Sequence, residues 1–463
     1  MNVRSVMVLA AIALAGVAAW PSFVATREAQ ASAQPAPAPV LADYEQRDRL
    51  VTFYEGAVRR HPDQLVTRML ASQYLQRFRE HGDAGDLLRG EHAAEQSLAF
   101  QPRFNVAGEM TLASALVSSH RFRTGLSHAQ RALEIEPGNP AVVAQVASTD
   151  VELGRYDDAN RLLRAAHAGY ETNVALDTAS ARYDEQTGNL AAARRSIDRA
   201  LVEMDSVMDN PAESRAWYHV RAGELAWTAG DGATAERRLR EALDIFPNYA
   251  RAWNGLARLY WGERRWPETL DAASRAAKLV PLPETLGYEA DAQRALGDGT
   301  AARATDDLID AIARIGNSGG VNDRALALYL ADHGRRLDDA IAIARRDVAA
   351  RDDVFAQDTL AWVLVRGGRC DEARDAARKA VARNTQDARL QYHAGTIALA
   401  CGDHGEGARR LRAALDLNPQ FHPLEADDAR AKIAPVTRSV QGLERAAVDR
   451  DRLAGDEARA LAA

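Results

Sequence analysis

The side chains able to do chemistry are scattered along the chain. Eleven histidines occur, with no pair at i, i+4 spacing to hold a metal from one helix face. Asp157-Asp158, Asp306-Asp307 and Asp338-Asp339 look like carboxylate pairs fit for general acid–base work. Each is expected at or near the first turn of a helix, where acids favour the positive end of the dipole, so capping is their expected role. Lone histidines such as His219 and His393 are expected to be solvated or hydrogen-bonded helix residues. No G-x-x-x-x-G-K-S/T, H-E-x-x-H or C-x-x-C-H signature for phosphate, zinc or haem is present. Two cysteines are too few for a disulfide framework or an unaided zinc site. The expectation is no catalytic residue, no cofactor and no metal, hence no enzyme.

What must position these residues is read from composition. The chain has 463 residues, of which 47% are apolar, 27% charged and 6% aromatic. That length exceeds one ordinary compact core and calls for several domains or a repeat array. The apolar share excludes wholesale disorder. It is rich in alanine and poor in β-branched and aromatic residues, which favours close-packed helices over sheets. The net charge is −7, from 58 basic and 65 acidic residues, so no basic field exists to hold nucleic acid.

The first residues read as an address. Arg4 precedes an apolar run from Val6 to Ala19, with small residues at Val17-Ala18-Ala19 and Ala29-Gln30-Ala31. Residues 1–25 are therefore expected to be a signal peptide or an N-terminal membrane anchor. Residues 26–42 carry Gln-Pro-Ala-Pro-Ala-Pro and read as an extended linker. Both readings put the remainder in the periplasm or outside the cell, touching a membrane only through that anchor.

A spacing of 34 residues separates Gly154 from Gly188, Pro247 from Pro281 and Gly368 from Gly402. Each glycine opens a similar phrase, such as Gly154-Arg-Tyr-Asp-Asp-Ala159 and Gly368-Arg-Cys-Asp-Glu-Ala373. The physics is a helix ending at a residue free to take positive φ, then a polar cap opening a second helix. The alanine lets the two helices approach closely. An apolar-x-x-Ala step follows (Leu239/Ala242, Leu411/Ala414), then a proline that cannot continue the helix (Pro137, Pro247, Pro281, Pro419).

This pattern resembles the tetratricopeptide repeat (TPR). Its best matches are Trp253, Leu256, Ala257, Tyr260, Ala276 and Pro281, and Gly223, Gly230, Ala235, Leu239, Ala242 and Pro247. The resemblance implies an all-α fold, a right-handed superhelical solenoid of stacked antiparallel helix pairs. About ten units are expected, beginning near 65, 106, 140, 174, 214, 250, 284, 321, 354 and 388. An N-terminal helix over 43–64 precedes units one to four (65–213) and five to ten (214–421). A C-terminal cap and charged tail occupy 422–463. Ser206–Glu213 reads as an insert, and Gly319-Gly320 as a flexible joint between poorly periodic units.

In this family the first helix of each unit lines a concave groove. Its register selects Trp217, Arg221 and Trp227 from unit five, then Arg251, Asn254, Arg258 and Trp261 from unit six. Tyr288, Trp362 and Tyr392 follow, with Asp291, Arg294, Tyr329, Phe355 and Arg389 among them. Aromatic faces interleaved with Arg and Asn suit an extended peptide, and they also stack on sugar rings. The implied function is an exported, non-enzymatic scaffold that binds a protein or peptide partner in its groove. It would serve assembly or maturation of an envelope or secreted component. The alternative is a carbohydrate-binding or polysaccharide-export-associated TPR protein.

Unit stacking also places Cys370, at the start of the second helix of unit nine, near Cys401, at the end of the first helix of unit ten. A helix end then lies beside the inter-helix turn of its predecessor, and an oxidising compartment would join the two. Two small buried thiols are the alternative.

Overall fold

Helix follows helix from Asp43 onward in the structure, a computed structural model that describes residues 42–434 except 208 and 317–322. The expected signal or anchor, most of the linker, the Gly319-Gly320 joint and the charged tail lie outside the described residues. A 3-10 turn (Asp43–Gln46) leads into α1 (Arg47–Arg60). Ten helix pairs follow. The first four are α2 (Gln64–His81) with α3 (Ala84–Phe100), α4 (Val106–Ser118) with α5 (Phe122–Ile135), α6 (Pro140–Glu152) with α7 (Tyr156–His167), and α8 (Val174–Gln186) with α9 (Leu190–Ser206). Next come α10 (Ala212–Thr228) with α11 (Gly232–Ile245), α12 (Ala250–Gly262) with α13 (Trp266–Leu279), and α14 (Pro283–Ala295) with α15 (Gly299–Gly316). The last are α16 (Asp323–Asp332) with α17 (Leu337–Ala350), α18 (Val354–Arg366) with α19 (Cys370–Val381), and α20 (Ala388–Ala400) with α21 (His404–Leu417). A final helix begins at 425, and no strand occurs among the described residues.

The pairs start within two residues of the positions expected from the repeat phase. Local signals explain why. Asp63, Asn105, Asn139, Asn173, Asp353 and Asp387 each precede a first helix and accept a hydrogen bond from its free backbone N–H groups. Pro137, Pro247, Pro281 and Pro419 each lie two residues beyond the end of a second helix. The extra residues at Ser206–Glu213 form mainly the connection between α9, which ends at Ser206, and α10, which begins at Ala212.

The two helices of a pair differ in burial. Second helices are amphipathic: α11 buries Ala235, Leu239 and Ala242 and leaves its charges outside. First helices are buried almost all round, polar residues included. Thus α10 buries Glu213, His219 and Trp227, and α18 buries Gln357, Asp358 and Trp362. First helices therefore lie inside the array, and their polar side chains must satisfy one another.

Contacts also span a whole superhelical turn. The Val354 amide donates to the Tyr156 hydroxyl at 3.0 Å, 198 residues away. The Thr385 hydroxyl donates to the Gln186 carbonyl at 2.6 Å, and the Asn418 amide to the Trp227 carbonyl at 2.7 Å. Gly154 and Gly188, both at positive φ, make the approach possible. A Cβ there would stand 2.3 Å from the Asp352 carbonyl oxygen and 2.5 Å from that of Asn384. Successive turns thus touch directly and narrow the concave face of the solenoid to a half-open lumen.

Candidate functional site

The lumen is a cavity of about 450 Å³ walled by first helices from α8 to α20 and by the loops that follow α17 and α21. Charge lines it. Arg182 on α8 donates to Glu152 and to Glu185, both at 2.9 Å. Arg221 on α10 donates to Glu185 at 3.1 Å and to Glu224. Arg351, from the loop after α17, reaches Glu152 at 3.2 Å and Asp347 at 2.9 Å. Arg324 on α16 spans Asp347 at 3.4 Å and Asp353 at 2.9 Å. These four arginines and five carboxylates alternate in one chain, Asp353-Arg324-Asp347-Arg351-Glu152-Arg182-Glu185-Arg221-Glu224. A desolvated ion pair is tolerable only when its partners are well placed and hydrogen-bonded, and this ladder meets that condition from residue to residue.

A second cluster closes the other wall. Arg389 on α20 bridges Asp332 and Glu425. His393, wholly buried, lies 2.9 Å from Asp358 and stacks 4.3 Å from the Trp362 ring. His422 Nδ1 accepts the backbone N–H groups of Leu424 and Glu425 at 3.1 and 3.2 Å, which puts its proton on Nε2. Asp332, His422 and Glu425 lie close enough to ligate a metal. Arg389 already supplies the cation between the two carboxylates, however, and Nε2 carries a proton where a ligand needs a lone pair. These residues form a complete ionic cluster and do not fit a metal centre.

Arg258 on α12 stands apart. It lines the lumen among Glu224, Glu284, Tyr288 and Asp387, yet it makes no hydrogen bond or ion pair within 4 Å among the described residues. Each neighbouring acid is engaged elsewhere. Glu284 accepts the Tyr288 hydroxyl at 2.6 Å and the Asn254 amide at 3.4 Å. Asp387 caps α20 through the Leu390 N–H at 2.9 Å, and Glu224 pairs with Arg221. Burial pushes the Asp387 carboxyl above the usual carboxylate range, against the pull of its cap and of Arg258.

The groove residues selected by register meet different fates. Arg221, Arg258, Trp261 and Tyr288 line the lumen. Asn254 is a positioning group, accepting from Thr285 at 2.7 Å and donating to Glu284. Arg251 is exposed, and Trp217 is half-buried with its ring edge-on to Tyr218. Trp227, Trp261, Tyr288, Trp362 and Tyr392 are all more than nine-tenths buried. Their polar ends are occupied too: Trp261 donates to Asp291 at 3.0 Å, Trp362 to Asp332 at 2.8 Å and Tyr392 to Asp428 at 2.7 Å. For Trp261 the cover is the segment after α21, which lies across units five and six, whereas Trp362 is covered by His393 and Tyr392 of α20. Gln420 meets Gly262, His422 packs against Trp261 at 4.3 Å, and Arg264 grips the Pro423 carbonyl.

Cys370 and Cys401 are joined by a disulfide with Cα atoms 5.8 Å apart. Asp157-Asp158 and Asp338-Asp339 occupy first turns of α7 and α17. Asp306 does not; it lies in the body of α15, half-buried, where it accepts from Arg294 and Tyr329, so it is a paired acid and not a cap. Gly316 to Gly320 spell G-x-S-x-G, but the run follows a helix instead of a strand, unlike a nucleophile elbow, and 317–320 lie outside the described residues. Arg182 and Glu185 were not selected from the sequence, although they stand at the unit-four places equivalent to Arg258 and Trp261, so the same register could have found them. Arg351 has no such signal, since only the second superhelical turn brings its loop to the lumen.

The pairing, the repeat phase and the inward-facing first helices define a TPR-like helical-repeat solenoid. No protein-family model and no curated protein matches the chain. Solved structures similar to it include PilW, a type IV pilus biogenesis factor, at 18% identity over 47% of this chain and 96% of that one, with a TM-score of 0.39. A tetratricopeptide repeat protein from Parabacteroides merdae matches at 15% identity, 56% and 98% coverage and a TM-score of 0.37. IFIT1 with Gppp-AAAA matches at 12% identity, 73% and 76% coverage and a TM-score of 0.48. All three likenesses are partial, and the class rests on the helix pairing and repeat phase of this chain itself.

Proposed function

We propose that the protein is an exported, non-enzymatic scaffold that binds another polypeptide and serves assembly or maturation of an envelope or secreted component. The observation that carries this reading is the half-open charged lumen, whose ladder is internally satisfied while Arg258 is left open. At about 450 Å³ it lies in the size range of ligand pockets, roughly 300–1,000 Å³. Export is supported by Arg4 with its apolar run and by a disulfide of the kind that persists in oxidising compartments. The carbohydrate alternative has less support, because Trp227 and Trp362 are buried away from the lumen and of the candidate tryptophans only Trp261 lines it.

Filling the lumen tests the reading. Ala325 lines it, so A325W should abolish binding to an array of short peptides that the wild type retains. Equal binding by the variant would place the partner elsewhere. For export, an enzyme active only after translocation, fused after Ala42, should be active, and a cytoplasm-only reporter at the same place should be silent.

A further inference from the structure

We infer that the lumen ligand carries a carboxylate and an ammonium side by side, the carboxylate seated on Arg258 and the ammonium between Asp387 and Glu284. This rests on the reading of the lumen as the binding site. Five of the six lumen arginines hold a carboxylate within hydrogen-bond distance; Arg258 alone holds none. A guanidinium cannot shed its charge, so a half-buried one that faces the lumen without a protein partner presents its N–H donors to an outside acceptor.

The surroundings narrow what that acceptor is. Asp387 and Glu284 lie near enough to act on Arg258 through their charge but too far to bond it, and neither has a cationic partner within 4 Å among the described residues. A lone anion at Arg258 would face both carboxylates. A lone cation would face the guanidinium. A group bearing both charges completes the trio, satisfying the N–H donors of Arg258 and the open oxygen of Asp387 at once, with Glu284 adding its charge. A free amino acid and a chain segment with adjacent acidic and basic side chains share this chemistry.

The test uses the full chain and calorimetric titration at neutral pH. One arm titrates L-alanine, N-acetyl-L-alanine and L-alaninamide. The other titrates the capped peptide Ac-Ala-Glu-Lys-Ala-amide and its Ac-Ala-Gln-Gln-Ala-amide control. Binding in the first arm identifies a free amino acid as the source, and binding in the second identifies a chain segment. In either case the singly charged or neutral analogues should bind at least about tenfold more weakly, as should R258Q and D387N against the wild type. Both variants should fold. Arg258 loses no protein partner, and asparagine caps a helix as well as aspartate does. The melting temperature of R258Q should therefore equal or exceed that of the wild type. The inference falls if neither zwitterionic probe binds, if the analogues bind equally, or if R258Q and D387N bind as the wild type does. Array peptides lost in A325W but indifferent to R258Q would keep the scaffold reading and overturn this one.

Discussion

His393 and His422 face the same carboxylate, Glu425, and are driven in opposite directions. Burial works against charge on His393, but Asp358 and Glu425 outweigh it and push its pKa up to about 9. For His422, burial dominates over the pull of Glu425, with Arg389 adding to it, and the pKa falls to about 4. The ordinary value is about 6.5. A raised folded value stabilises below the unfolded pKa and is lost as pH rises, so His393 should contribute roughly 3 kcal/mol near pH 6 that fades towards pH 9. Urea unfolding of wild type and H393Q should show their difference shrinking over that range; a constant difference would contradict the assignment. His422 acts the other way, its contribution fading as pH drops from about 6.5 to about 4. The buried tryptophans give a further expectation at this scale. W227A and W362A should each cost roughly 3–5 kcal/mol of stability, because they empty packed sites, with urea midpoints as the measure. Wild-type midpoints would make those rings surface platforms after all.

Helix ends are where the covalent staple acts. The disulfide ties the start of α19 to the turn after α20, closing a loop whose ends are 31 residues apart. Chain entropy assigns such a loop roughly 3–4 kcal/mol, so the C370S/C401S double variant should be less stable by about that amount. Reduction should bring the wild type to the level of the double variant and leave the double variant unchanged. A reductant-insensitive wild type would show that the bond contributes nothing. Most element boundaries were legible beforehand, since a cap residue before a first helix and a proline after a second helix are local signals. The ends of α9 and α10 were less so, because no local signal in Ser206–Glu213 says how much of it the flanking helices absorb.

At the scale of the molecule, stacking of neighbours alone predicts unfolding in separable blocks, with weak joints before 214 and near 297–321. The turn-on-turn contacts change that, because units three to six are held by residues of units eight to ten and the segment beyond. Two glycine substitutions isolate the effect. Gly368 has positive φ and open space around it, so G368A should cost roughly 1–2 kcal/mol of left-handed strain. G154A carries the same strain and also drives a methyl group into the Asp352 carbonyl. It should cost more and separate unfolding into two phases, seen as non-coincident fluorescence and circular-dichroism transitions. Equal costs and one shared transition would mean that the turns are not mechanically coupled.

The repeat phase, the helix boundaries and the pairing of Cys370 with Cys401 all follow from residues within one or two units, and a sequence exposes such short-range constraints directly. The first-helix register likewise brings Arg221, Arg258, Trp261 and Tyr288 to the concave side. Whether that side stays open depends on how far each unit rotates against the next, summed over several units. No local motif encodes that sum. The summed rotation carries Asp352, Asn384 and Gln420 onto the inter-helix turns of units three, four and six. It turns the expected open groove into a lumen, buries Trp227 beneath the chain's own C-terminal segment, and recruits Arg351 from a loop with no concave register. Arg258 becomes distinctive only in that setting, because its lack of a partner is a property of everything packed around it.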